Sequence, residues 1–497
     1  MGQHLTVMEQ FDKAAREGSL YPRWQPEFNR GYGLPWLNFY PPGFYYFAEV
    51  FRLMVPTAID AFLAACLFLM AASGIAAYAL ARLFFSRSAS AAGALFYMLT
   101  PYHTVDLYLR GALPELTGFF FVPAILFFAY KAGEHARPRH IAALALFQGL
   151  YFMSHFPVAY LLSLTLGLYA LVWAVMKRDA MIPVRIGAGI IVGLLMSAAF
   201  WLVALVERVY VREPFSAVFQ YHESYLNFGS NGDSFTGFVN SSFLALAFAI
   251  VVSLVAARGF ATASTQTKLF QILAVATLFM VTPWSIHISK LIPNVNVISF
   301  AWRWLVIVSC FAGISVALAL ETVITIGRER RLLRWSLAAA LAAVFGFNLW
   351  TSVAVIRSAL GSESQATPSQ RDEHGYLPAG AVDPPSLPDT ERARLVRNSG
   401  TVEITSWRSL RREMNVRPAG NSVLRLRTFT FPGWKATVDG RPVAVDADSD
   451  GAQLIAVPSG SHRVIVTFEN TPIRTWAAAL SSLAFLIAIV VISVDRG

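Results

Sequence analysis

Charge is scarce in this chain. Of its 497 residues only 14% are Asp, Glu, Lys or Arg, while 56% are hydrophobic. Ordinary soluble domains carry about 25% charged residues, so a soluble enzyme is excluded. Cysteine is almost absent. Cys66 and Cys310 each lie inside an apolar run, which leaves neither a disulfide framework nor a Cys-based zinc site. The polar C-terminal block lacks a Ser-His-Asp set in a nucleophile-elbow context, a Gly-rich phosphate loop and His-rich metal spacing. That block therefore reads as a binding or packing module. A net charge of +10 would suit nucleic acid, but the basic residues stand at the ends of apolar segments. That is the positive-inside pattern of a membrane protein, and no nucleic-acid partner is read from it.

What is present is a succession of apolar runs long enough for a bilayer, whose ~30 Å core needs roughly 20 helical residues. Clear spans begin at 57–84 and continue through 115–130 and 156–176, with shorter candidates at 89–99 and 141–153. Arg82, Arg87, Lys131, Arg137, Arg139, Lys177, Arg178, Arg185, Arg258, Lys268, Arg328, Arg330, Arg331 and Arg334 all fall on one side if each run crosses once. That side is assigned to the cytoplasm. The expectation is a polytopic α-helical membrane protein with about 11 spans and a C-terminal extracytoplasmic β-sandwich before the last span. Its parts are an outer-face loop with an aromatic lip (1–56), a transmembrane helical domain (57–357), the β-rich domain (358–472) and a terminal helix (473–497). The odd count places Met1 outside; either one further helix is expected upstream, or one of the shorter runs at 89–99 and 141–153 does not cross.

Several polar positions share the outer face. The stretch 21–46, with Trp24 and Tyr40, is rich in aromatics, Gly and Pro. It is either an interfacial loop or a lip over a cleft, where flat rings suit sugars or polyprenyl chains. The segment 101–115 places His103, Asp106, Arg110 and Glu115 within a dozen residues. Asp106 and Arg110 have the i,i+4 spacing of a surface ion pair, and Glu115 after Pro114 suits a helix start. Ionisable residues at a membrane boundary are nevertheless costly and point to function. His155 occupies a very short turn, as a cap or a ligand-binding group. Arg303 begins a span, where it either snorkels or binds phosphate.

The C-terminal block has β periodicity. In 423–431, Leu424, Leu426, Phe429 and Phe431 are interrupted by Arg425, Arg427 and Thr428, and Asp439-Gly440 fits a two-residue type I′ hairpin. Pro458-Ser-Gly-Ser marks another turn, between 454–457 and 462–468.

These residues resemble a known family. Tyr21-Pro-Arg-Trp24, Gly31-Tyr-Gly33, Asn38-Phe-Tyr-Pro-Pro42, Arg110-Gly-Ala-Leu-Pro-Glu115, Ser154-His155, Phe300-Ala-Trp-Arg303, Gly375-Tyr-Leu-Pro378 and Pro432-Gly-Trp-Lys-Ala-Thr-Val-Asp-Gly440 occur in this order over nearly the whole chain. The set is similar to the YfhO-like bacterial integral membrane proteins, which include sequences called 6-pyruvoyl-tetrahydropterin synthase-related. Nothing in it resembles the zinc histidines of a soluble pterin enzyme. The resemblance implies the GT-C glycosyltransferase superfamily, polytopic enzymes of the inner membrane that use polyprenyl-phosphate sugars and carry acidic residues in the first outer loop. It also implies an acid just after the first span, a few residues before the histidine matched by His4; Met1 falls where the residue after that acid should be.

On this resemblance the protein is expected to transfer a sugar from a polyprenyl-phosphate donor to an envelope glycan or glycolipid acceptor. Glu115, Asp106 and His4 are the candidate catalytic residues. Arg110, His155, Arg303, Tyr40 and Trp24 are the candidate binding residues. No metal ligand is assigned, and a carboxylate acts either as general base or as a ligand to a divalent cation. A transporter or envelope-assembly scaffold for lipid-linked substrates is the alternative, because fold does not fix activity.

Overall fold

The computed structural model describes residues 2–212, 221–226, 234–258, 264–326, 330–362, 375–383 and 391–494. Two compact units emerge, each discontinuous in sequence.

The first unit gathers residues 1–62, 198–218 and 367–480. Its amphipathic helix Gly2–Arg16 buries Val7, Met8 and Phe11. The lip that follows is built from turns: Asn29, Arg30, Gly31 and Gly33 all have positive φ, and Gln25 and Leu34 exchange backbone hydrogen bonds of 2.7 and 2.9 Å. Gly33 is obligatory, since a Cβ there would stand 2.4 Å from the Trp24 indole nitrogen.

Nine strands follow: β1 (Ala393–Leu395), β2 (Gly400–Trp407), β3 (Arg411–Pro418), β4 (Ser422–Phe429), β5 (Trp434–Val438), β6 (Arg441–Val443), β7 (Asp446–Ala447), β8 (Ala452–Val457) and β9 (His462–Phe468). They form two antiparallel sheets, ordered β1-β4-β8-β7 and β2-β3-β9-β5-β6. Period-2 apolar residues fill the interior: Met414, Val416, Leu424, Leu426, Val464 and Val466 are fully buried. The predicted Asp439-Gly440 hairpin is present, with φ of 49° and 81° between Val438 and Arg441, which pair. The turn at 458–461 does not join a hairpin, because β8 and β9 lie in different sheets and it carries the chain between them.

Beside that hairpin, Asp439 accepts from the Arg463 backbone at 2.8 Å and pairs with His462 Nδ1 at 2.7 Å. The hydrogen bond to Asp439 raises the His462 pKa above 6.5, and the same bond lowers that of Asp439 below 3.8. The stabilisation from His462 is fully present below its unfolded pKa and fades as pH rises through the raised value. That from Asp439 is present above 3.8 and is lost as pH falls through its lowered value. Asp439→Asn, which keeps a good turn residue, is expected to move the His462 titration, followed by NMR, downward, with the bond to the Ser459 carbonyl at 3.1 Å still raising it.

The lip packs into the β-domain within this unit. The Trp24 ring meets Trp434 edge-on at 5.4 Å and lies 5.7 Å from Phe468; Phe39 stacks on Tyr376 at 5.4 Å. A buried polar lock accompanies these rings. Glu207, at the end of helix Ala198–Glu207, accepts from Asn38 at 2.8 Å, from Arg474 at 2.8 and 3.1 Å, and from Thr471 at 2.7 Å. Arg474 also donates to the Pro432 and Glu469 carbonyls. Arg23 joins Asn38 to the Ala199 carbonyl.

The second unit gathers residues 63–197, 219–366 and 481–497 and is helical in its described residues. Across the described chain, seven helices are long and apolar enough to cross a membrane: Ala58–Ala81, Leu113–His135, Phe156–Lys177, Phe235–Ala257, Ala301–Thr325, Arg331–Gly361 and Pro472–Val494. Two more candidates are broken. One consists of Met181–Met196 with Ala198–Tyr210, and the other of Thr265–Phe279 with Pro283–Ser289, bent by 96°. The expected crossings at 89–99 and 141–153 are helices of 12 and 17 residues, Arg87–Met98 and Pro138–Ser154; the first falls short of the roughly 20 that a bilayer demands, and the second stands at the low end of the ~17–25 range. Close helix approach rests on glycine: a Cβ on Gly93 would meet the Gly313 carbonyl at 2.4 Å, and one on Gly193 the Ala145 carbonyl at 2.8 Å.

Candidate functional site

In the second unit three separated sequence motifs converge on Glu115. The chain leaves the turn Pro101–Thr104 through a single π-helical turn, Val105–Arg110, a distortion that frequently marks functional sites. Gly111, at φ 58°, ends it in the left-handed conformation. Pro114 then starts the next helix. This sharp reversal sets Asp106, Arg110 and Glu115 side by side.

Glu115 is 1% exposed. One of its oxygens accepts from the Tyr102 hydroxyl at 2.6 Å. The other lies 3.0 Å from Arg110 Nη1 and 3.2 Å from Arg303 Nε, with His155 Nε2 at 3.9 Å. Arg110 Nη1 also reaches Asp106 Oδ1 at 2.5 Å and Tyr102 Oη at 3.1 Å. Arg303 comes from the 3₁₀ turn Ala301–Arg303 at the head of its helix. Its guanidinium lies over the Phe300 ring, 5.0 Å from the centroid, and donates to the Ile298 carbonyl. His155 joins the helices Pro138–Ser154 and Phe156–Lys177, its backbone N–H donating to Tyr151 at 2.7 Å.

Of the residues expected at a site, Asp106, Arg110, Glu115, His155 and Arg303 thus come together. His4, Tyr40 and Trp24 belong to the first unit. There the His4 ring contacts the Tyr45 hydroxyl at 2.7 Å and lies 5.9 Å from Tyr40, and Trp24 is fully buried. His103 stacks on Phe119 at 3.9 Å. The sequence reading missed Tyr102 and Tyr151. Tyr102 lies inside the 101–115 segment, but a neutral aromatic carries no charge to mark it out there. Room for Tyr151 is made by Gly118, whose Cβ would fall 2.4 Å from the Tyr151 hydroxyl.

Two guanidiniums and two carboxylates balance in this cluster, yet it is not saturated. Among the described residues, Asp106 Oδ2, His155 Nδ1 and the Tyr151 hydroxyl are buried without hydrogen-bond partners. Leaving such groups bare costs about 1–3 kcal/mol each, which a water or a ligand would relieve. A divalent cation fits poorly. Arg110 already supplies the positive charge between Asp106 and Glu115, and among the described residues no three of His, Cys, Asp and Glu gather as a metal site.

Residues 37–358 match the membrane-protein family described as "6-pyruvoyl-tetrahydropterin synthase related domain". That match spans well over half of the chain, and the chain belongs to this family of membrane proteins. No curated protein matches it. Among solved structures it is similar to ArnT from Cupriavidus metallidurans bound to undecaprenyl phosphate, with a TM-score of 0.43 and 18% identity over 72% of this chain and 66% of that one.

Proposed function

We propose that this protein is a GT-C-type glycosyltransferase that moves a sugar from a polyprenyl-phosphate donor to an envelope glycan or glycolipid at the outer face of a bacterial inner membrane. The observation that carries the reading is the meeting of Arg110 and Arg303 on one carboxylate oxygen of Glu115, beside an acid with an unpartnered oxygen, Asp106. Paired guanidiniums match the geometry and charge of a phosphate diester. The family-like motifs that supply them, at 110–115 and 300–303, lie far apart in sequence and converge here.

In the proposed reaction the acceptor hydroxyl oxygen bonds to the anomeric carbon, whose bond to the phosphate oxygen breaks. Polyprenyl phosphate departs with the electron pair, its charge held by Arg110 and Arg303. The hydroxyl proton goes to Asp106 Oδ2. Both oxygens of Glu115 are engaged, so among the candidate carboxylates its role is to align the arginines. A scaffold that binds lipid-linked sugars without turnover is the second reading, favoured by the charge balance of the cluster. The test is incubation of the purified full chain in proteoliposomes with radiolabelled polyprenyl-phosphate sugars and envelope glycolipid fractions. Glycosylated acceptor with stoichiometric polyprenyl phosphate is expected; saturable donor binding with no released polyprenyl phosphate would establish the scaffold instead.

A further inference from the structure

A groove of about 680 Å³ lies in the helical unit, apart from the Glu115 cluster in its lining residues. Leu254 forms one wall, Ile272, Ala276 and Phe279 the other, and Leu318 the floor. Leu254, Ile272 and Phe279 are 37–49% exposed, while Leu318 is 2% exposed. Gln271 also lines it, but its amide is already committed, accepting from Ser253 at 2.6 Å and donating to Ser315 at 3.1 Å. Among the described lining residues the one charged group is Lys268, exposed at one end. It stands in the first turn of helix Thr265–Phe279, capped by Ser264, where the helix dipole adds positive potential.

We propose that this groove holds one acyl chain of an anionic glycerophospholipid, with the headgroup on Lys268. Two independent features select that occupant. From Lys268 to Phe279 the wall runs about 16 Å at 1.5 Å per residue, close to half of a ~30 Å hydrocarbon core, so the groove is one leaflet deep. Its polarity is graded the same way as a lipid, with a cation at the end and apolar side chains along the remainder. Basic positions between membrane helices recognise anionic headgroups in this manner. The site lies in the leaflet next to the Lys268 turn, which the charge pattern assigns to the cytoplasm.

The full chain is reconstituted in nanodiscs of equimolar phosphatidylglycerol and phosphatidylcholine, and retained lipid is weighed by native mass spectrometry. Phosphatidylglycerol is expected to exceed phosphatidylcholine about fivefold, the factor that one lysine near a membrane surface supplies. Lys268→Gln should bring the ratio to about one without reducing total bound lipid, and Lys268→Arg should restore it. Ala276→Trp, which fills the groove, should remove the lipid. No headgroup preference in the wild type, an unchanged preference in Lys268→Gln, or a second protein chain in place of lipid overturns the assignment. If Ala276→Trp fails to fold, the two Lys268 variants decide it alone.

Discussion

Asp106→Asn is expected to lower sugar transfer by roughly 10²- to 10⁴-fold, the usual worth of a positioned general base. Asparagine keeps an acceptor for Arg110 but cannot take a proton, while Arg110 retains Glu115 at 3.0 Å as counter-ion. Folding and donor binding should therefore persist. Glu115→Gln should behave differently. It strips Arg303 of its carboxylate partner while Arg110 keeps Asp106, and leaves a part-buried guanidinium under-compensated, a loss of up to about 3–5 kcal/mol. Activity and melting temperature should then fall together. Glu115→Gln combined with Arg303→Gln should regain stability but not transfer. Parallel measurement of labelled product and thermal melting separates these outcomes. Full transfer by Asp106→Asn would return the base to another residue. A Glu115→Gln variant that melts like the wild type would reduce Glu115 to a helix-start acid worth about 1 kcal/mol or less.

Glu207→Gln should be strongly destabilising in the other unit. Arg474 is 1% exposed and places two nitrogens on Glu207 Oε2 at 2.8 and 3.1 Å. The amide cannot neutralise it, and a cost of about 3–5 kcal/mol is expected from breaking one side of a buried pair. Glu207→Leu with Arg474→Met should cost much less than the two single changes added together, because no charge is left stranded. Denaturant titration of the β-domain tryptophans in detergent would follow this. An effect below about 1 kcal/mol in Glu207→Gln would mean that water reaches the pair, as at exposed ion pairs.

Why was one cluster legible and the other not? Arg110, Glu115 and Arg303 stand out because each interrupts an apolar context, and ionisable residues there are rare and purposeful. Glu207 and Arg474 obey the same rule at the edges of apolar runs. Their partnership spans 267 positions, however, and no short motif joins them. The β-domain was readable from Asp439-Gly440 and from alternating burial, both local signals. Which strands go to which of the two sheets was not, since the turn at 458–461 looks alike whether it closes a hairpin or crosses between sheets. Trp24 was read as a ring offered to sugar. In the fold its neighbours are Phe431, Trp434 and Phe468, and composition cannot distinguish a ring that waits for a ligand from one that waits for a distant strand. Likewise the size of the 96° bend after Phe279 cannot be read from a hydropathy profile, although Thr282-Pro283 marks a break there.

That last strand arrives late. The partners of Trp24 lie roughly 400 residues downstream, and at a synthesis rate of about 5–20 residues per second they emerge some ~20–80 s after it. During that interval Trp24, Tyr32 and Phe39 have no β-domain to receive them, and closing so long a loop adds entropy to the delay. For that interval the lip is without its packing partners. A nonsense mutation before β4 would remove the rings that Trp24 and Tyr32 meet at Phe429, Phe431, Trp434 and Phe468, so premature termination products should be cleared by proteolysis and should not accumulate.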